Sequence, residues 1–151
     1  MIAFKRALLA VAGIGLMAGS GLVLAQETPT AAPAGVKLVE AAAVQALQGK
    51  GAVLIDTRKA NEYADGTIKG AISVPYDPEK SAKDAGFDPA ADKFDMGKIA
   101  DKNKDYVVFC NSGTCWKSYK AAVVMAKAGY KNVHWYRNGF PDWKARKLPM
   151  E

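Results

Sequence analysis

The chain has 151 residues, with 21 lysines and arginines against 15 aspartates and glutamates, two cysteines and one histidine. That length suits one domain with one core, and the mild basic excess, scattered among acidic residues, argues against a nucleic-acid or membrane-surface binding face while leaving attraction of small anions open. Two cysteines and one histidine are too few for a zinc site, so no metal is expected, and no sequence feature implies a cofactor.

Lys5 and Arg6 followed by an apolar, Gly/Ala-rich run to Leu24 read as a secretory signal peptide over residues 1–25, with Val23-Leu24-Ala25 placing the cleavage before Gln26. The alternative is an uncleaved anchor, against which stand glycines at 13, 15, 19 and 21 that weaken a spanning helix. Export implies a periplasmic or secreted protein, free of the membrane once the signal is removed, and a monomer is expected. Residues 26–35 are Thr/Pro/Ala-rich without apolar period and are expected to form a flexible leader to a domain over 36–151.

Within the domain, Val36–Leu38 reads as a short strand and Glu40–Gln48 as a helix ended by Gly49 to Gly51. Ala52–Ile55 is an apolar run closed by Asp56, the pattern of a strand buried on both faces. A short helix over Lys59–Ala64, the Asp65-Gly66 turn, and a strand over Ala71–Val74 closed by Pro75 follow. The polar stretch Asp77–Lys104 reads as a long connection with one short helix near Met96–Asp101. Tyr106–Phe109 is a buried strand running into Cys110, Trp116–Ala128 an amphipathic helix ended by Gly129, and Val133–Tyr136 the last strand. Strands alternating with helices predict an α/β domain, a parallel sheet of about five strands with helices on both faces, whose ligands sit at the carboxyl ends of the strands.

Cys110 lies at such an end. The segment Cys110-Asn111-Ser112-Gly113-Thr114-Cys115 joins a buried strand to a helix start, so the amides of Asn111, Ser112, Gly113, Thr114 and Cys115 can curl toward one point beside the partial positive charge of the helix. A thiol there is expected to favour the thiolate, the form that attacks sulfur. The plainer reading makes Cys110 a small apolar residue at a strand end.

Three separated pieces, in order, resemble the rhodanese superfamily. They are Val53-Leu54-Ile55-Asp56-Thr57-Arg58 with Glu62-Tyr63, Gly66, Ile68-Lys69-Gly70-Ala71 and Pro75; Val107-Val108-Phe109-Cys110 with Gly113; and Gly139-Phe140-Pro141-Asp142-Trp143 with Leu148-Pro149. The resemblance implies a sulfurtransferase whose Cys110 accepts a sulfane sulfur as a persulfide, cradled by the loop amides, and passes it to a thiophilic acceptor. Its substrates would be a small sulfur-containing anion or a thiol. It also places Asp56 and Arg58 beside the loop, pairing with Glu62 or orienting the loop, with a structural salt bridge as the other reading.

The chain departs from the family pattern at the fifth position after the cysteine, where many active rhodaneses carry an arginine that helps bind thiosulfate and this chain has Cys115. Lys117 offers one flexible ammonium instead of a planar fork. Related phosphatase chemistry needs an arginine at the next position, which is Trp116. The C-x4-C-W arrangement is similar to a C-x-x-C-W variant of the fold in exported proteins linked to quinone-dependent alcohol catabolism, with a spacing two residues longer. In an oxidising compartment Cys110 and Cys115 can pair if their Cα atoms approach within about 4.4–6.8 Å. A second hypothesis is therefore a thiol–disulfide redox protein that cycles this pair with another exported protein; a third is a non-catalytic rhodanese-like module. Trp116 is a candidate for lining a pocket mouth, Trp135 and Trp143 are expected in the core, and His134 is expected half exposed without a catalytic role.

Overall fold

The computed structural model describes residues 25–151. The segment 1–25, expected to be a signal peptide, lies outside the described residues apart from Ala25. Five strands, β1 (Val36–Leu38), β2 (Val53–Asp56), β3 (Ile72–Ser73), β4 (Asp105–Phe109) and β5 (Asn132–Tyr136), form one sheet of order β1-β5-β4-β2-β3, with every pairing parallel. Four helices connect or follow them: α1 (Ala41–Gly49), α2 (Ala60–Ala64), α3 (Trp116–Lys127) and α4 (Gly139–Ala145). The expected α/β architecture is present, and its strand positions agree with the apolar runs to within a residue or two.

The period of two along each strand divides the core. Ile55, Val108, Val133 and Trp135 face α3 through Ala121, Ala122 and Met125, whereas Leu54, Val107, Phe109 and Tyr136 face α1 and α4 through Ala41, Val44 and Trp143. Helices thus cover both faces, which is why β2 and β4 read as unbroken apolar runs. Full burial of each of these large side chains contributes about 1.5–3 kcal/mol, enough to fix the register. Trp135 and Trp143 are in the core as expected, and Trp135 Nε1 donates to Ser118 Oγ at 3.0 Å.

Two sequence expectations change. The connection 77–104 holds two 3-10 turns, Pro89–Ala91 and Met96–Ile99, instead of one short helix. Asp92 organises its first half by accepting from the Tyr76 hydroxyl at 2.8 Å, the Lys80 and Ser81 amides at 2.6 and 2.7 Å, and the Ser81 hydroxyl at 2.5 Å. Burial alone would raise the Asp92 pKa, but the donors from Ser81, Tyr76 and Lys80 outweigh it and hold the carboxyl at about 2. His134, expected half exposed, is only 6 % exposed, because β5 lies between β1 and β4; its Nε2 stands 3.2 Å from Asp105 Oδ1.

Candidate active site

Parallel strands bring their carboxyl ends to one edge, and there Asp56, Thr57, Cys110 and Arg137 follow or end β2, β4 and β5. Thr57 extends the β2–β4 ladder past its last pair, its amide and hydroxyl both donating to the Phe109 carbonyl at 3.1 and 2.8 Å. That fixes the end of β4 just before the cysteine. Cys110 itself is 1 % exposed. Its carbonyl accepts from the Phe140 amide at 2.8 Å, and Gly139 packs so closely that a Cβ there would overlap the Cys110 oxygen and stand 2.9 Å from its carbonyl carbon. Gly139 has φ +66°, the left-handed conformation that glycine adopts without a side-chain penalty, so two independent constraints select glycine at this contact.

Cys110 and Cys115 form a disulfide with Cα atoms 6.2 Å apart. Of the two alternatives left open by spacing, the loop therefore curls tightly enough to bridge. Cys115 occupies the N-cap position of the 12-residue helix α3 without a side-chain capping bond, so the loop runs directly into the amino end of that helix. The expected cradle of five amides is reduced: Cys115 N donates to the Ser112 carbonyl at 3.0 Å and Thr114 N to Ser112 Oγ at 3.4 Å. Among the described residues, the amides of Asn111, Ser112 and Gly113 have no hydrogen-bond acceptor. Of the five expected amides, those three remain without a protein acceptor.

Asp56 and Arg58 form a buried ion pair, 0 % and 4 % exposed, with Arg58 Nη2 to Asp56 Oδ2 at 2.6 Å. Asp56 also accepts from the Arg58 amide at 3.0 Å and the Thr67 hydroxyl at 2.8 Å. Arg58 Nη2 continues to the Gly66 carbonyl at 2.7 Å, and its guanidinium lies 4.4 Å from the Phe140 ring centroid. Glu62 does not join this pair. Its carboxylate instead accepts from Asn111 Nδ2 at 2.7 Å, tying the start of α2 to the cysteine loop. Between these groups opens a cleft of about 340 Å³ lined by Arg58, Glu62, Asn111, Phe140 and Lys144 among others.

Two expected site residues point elsewhere. Lys117 donates to the Tyr76 carbonyl at 2.8 Å and lies 3.5 Å from Asp77 and 3.8 Å from Glu79, so its charge is neutralised by the 77–79 segment and is not free for the loop. Trp116 is 2 % exposed and stacks edge-on with Tyr119 at 5.3 Å, so it belongs to the core and not to a pocket mouth. Its Nε1 donates to the Gln26 carbonyl at 2.7 Å.

That bond belongs to the feature least visible in the sequence. Residues 26–29, expected within a free leader, lie against the cysteine loop: Thr28 is 3 % exposed, and both its amide and hydroxyl donate to the Gly113 carbonyl at 2.7 Å. Arg137, directly after β5, clamps the segment. Its Nε donates to Thr28 Oγ1 and the Pro29 carbonyl at 3.1 Å each, and its Nη2 to the Thr28 carbonyl at 3.0 Å, with Glu27 at 3.4 Å. A Cβ on Gly113 would stand 2.7 Å from the Arg137 Cζ, so the guanidinium packs directly against the loop and would have to shift to admit a side chain there. The carboxyl-end rule pointed to the residue after each strand, and applying it to β5 as to β4 would have singled out Arg137.

The Rhodanese-like domain family model matches residues 40–146. A mitochondrial protein of Schizosaccharomyces pombe assigned as a thiosulfate sulfurtransferase is 28% identical over 94 residues, 62% of this chain and 64% of the relative, so the chain spans less than two thirds of that relative's length. Among solved structures, the thiosulfate sulfurtransferase of Pseudomonas aeruginosa is 26% identical with a TM-score of 0.53, covering 77% of this chain and 20% of that one. The BH2092 protein of Bacillus halodurans has a TM-score of 0.59 at 22% identity, covering 76% of each chain, a likeness of fold. With the family model spanning the sheet, the cysteine loop and α4, the chain belongs to the rhodanese-like domain family.

Proposed function

We propose that the protein is a sulfurtransferase that carries a sulfane sulfur on Cys110 and, in its extracytoplasmic setting, uses Cys115 as a second thiol. The observation that carries the reading is the position of Cys110, the first residue after the central strand β4, at the head of a loop whose Asn111, Ser112 and Gly113 amides are unclaimed. In the reduced protein the Cys110 thiolate attacks the sulfane sulfur of thiosulfate, a polysulfide or a persulfide. A sulfur–sulfur bond forms to Cys110, the donor's bond to that sulfur breaks, and sulfite or a thiolate leaves with the electron pair. The terminal sulfur is an anion, and the loop amides with the α3 N-terminus favour it.

Release follows by one of two routes. An external thiol, sulfite or cyanide removes the terminal sulfur and returns Cys110 as thiolate. Alternatively the Cys115 thiolate attacks Cys110 Sγ, expels hydrosulfide, and leaves the disulfide; the 6.2 Å Cα separation supports this second route. Thiosulfate, which needs charge recognition, is the less suited donor, since Cys115 replaces the loop arginine and Lys117 is engaged by Asp77 and Glu79. The same disulfide is what a thiol–disulfide exchange protein would use, and the two readings separate on whether a sulfur atom is gained. We place the protein in the periplasm or outside the cell, with cleavage before Gln26; the intact mass of the exported protein tests this, and a retained Met1 overturns it. Among the described residues no helix is long and apolar enough to cross a membrane.

The test of function is mass spectrometry of the reduced protein after incubation with a polysulfide. One added sulfur on Cys110, lost in Cys110→Ser, supports transfer. A loss of two protons with no sulfur gained supports the exchange reading instead.

A further inference from the structure

We infer that Cys115 is the sulfur at which an external thiol enters the disulfide, so that reduction passes through a mixed disulfide on Cys115 and frees Cys110 first. This rests on the reading of the loop as a sulfur-transfer site, and it assigns the residue that returns the site to its working state.

The two sulfurs are not equivalent. Cys110 is 1 % exposed, closed in by the end of β4 and by the Gly139–Phe140 backbone on its carbonyl. Cys115 retains a solvent-accessible part of its surface at the N-cap of α3. Thiol–disulfide exchange requires the incoming thiolate to approach a sulfur opposite the bond that breaks, so in the closed, oxidised loop the more accessible sulfur is attacked first. The leaving group matters equally: the better-stabilised thiolate leaves faster. When Cys115 is attacked, the thiolate that departs is Cys110, beside the unclaimed Asn111, Ser112 and Gly113 amides. Access therefore sets the direction, because a Cys115 thiolate at the N-cap of α3 would be stabilised as a leaving group too.

The steps balance with two equivalents of a monothiol, or one of a dithiol. The first thiolate forms a bond to Cys115 Sγ, the Cys110–Cys115 bond breaks, and its electron pair stays on Cys110. A second thiolate then attacks the sulfur of the bound thiol, releasing the external disulfide and leaving the electron pair on Cys115. Two thiols are oxidised, one protein disulfide is reduced, and the two protons of the thiols pass to water or to the cysteines. After the first step Cys110 is a thiolate released from the bridge that closed the loop, while Cys115 is still blocked and cannot intercept a persulfide. Its occupancy by a thiol therefore favours transfer over premature release of hydrosulfide.

Oxidised protein is mixed with limiting glutathione, quenched in acid, alkylated with N-ethylmaleimide and digested with trypsin. The peptide Asp105–Lys117 carries both cysteines, and fragment ions assign each label. The expected product has glutathione on Cys115 and the alkyl group on Cys110; Cys110→Ser, treated with oxidised glutathione, gives the same Cys115 adduct in stable form. Glutathione on Cys110, or no adduct on Cys115 in either protein, overturns the inference. Persulfide formation by the reduced protein is measured in parallel. A persulfide on Cys110 with the adduct on the wrong cysteine refutes only the order of attack, and an adduct on Cys115 with no persulfide refutes only the transferase reading.

Discussion

Gly139→Ala tests whether the start of α4 holds Cys110 in place from a position 29 residues away in sequence. The added methyl meets two penalties. At φ +66° an alanine costs about 1 kcal/mol relative to glycine, and the methyl also overlaps the Cys110 carbonyl, an overpacking cost of about 1–3 kcal/mol. Relief by moving α4 away would give up the 2.8 Å bond from Phe140 N to Cys110 O, a loss of about 1 kcal/mol. The overlap and its relief are alternatives, so the total loss is about 2–4 kcal/mol. Gly129→Ala is the internal control: it has φ +89° but nothing within 4 Å of its Cβ position, so it carries the backbone penalty alone, about 1 kcal/mol. Urea unfolding of the two variants and the wild type, with persulfide yield on Cys110 as second readout, separates the terms. Gly139→Ala is expected to lose markedly more stability than Gly129→Ala and to lower the yield. Equal losses in the two variants would refute the backbone contact as a support of the cysteine.

Asp56→Ala leaves Arg58 buried without its carboxylate, and a loss of about 3–5 kcal/mol in urea unfolding is expected; a loss below 1 kcal/mol would show the pair to be dispensable. Reducing the Cys110–Cys115 bond, which closes a loop of sequence separation 5, should lower stability by only about 2 kcal/mol, leaving a folded dithiol in a urea titration with reductant. Arg137→Ala removes the clamp on Thr28 and Pro29, so hydrogen exchange of the Thr28 amide should speed up while the exchange of β4 stays slow. Asp92 has its folded pKa depressed to about 2, so it contributes stability above its ordinary value of 3.8 that is lost as pH falls through about 2. Asp92→Asn should therefore flatten the fall in stability between these pH values, measured by unfolding at each pH.

Much of the fold was legible because β2 and β4 are buried on both faces, so Val53–Ile55 and Tyr106–Phe109 are apolar at every position and strand alternation follows directly. The position of Cys110 was legible for the same reason, since a buried parallel strand must expose its last residue's neighbourhood at the carboxyl edge. What escaped were contacts between segments far apart in sequence. Thr28 and Gly113 are 85 residues apart, and nothing in a Thr/Pro/Ala-rich stretch signals that it will find an unpaired carbonyl to cover. Lys117 was offered to the loop by its spacing and Glu62 to the Asp56–Arg58 pair by the resemblance, but each carries a long side chain whose direction is decided by partners, Asp77 and Glu79 for one and Asn111 for the other. Trp116 was ambiguous until the Gln26 carbonyl appeared as the acceptor of its buried N–H.

The most direct test of sulfur transfer is the mass of the reduced wild-type protein and of Cys110→Ser and Cys115→Ser after brief exposure to a polysulfide. Transfer through Cys110 predicts one extra sulfur retained in Cys115→Ser, none in Cys110→Ser, and in the wild type a persulfide that decays to the disulfide with release of hydrosulfide. Sulfur held equally by Cys110→Ser, or gained by none of the three proteins, would contradict it.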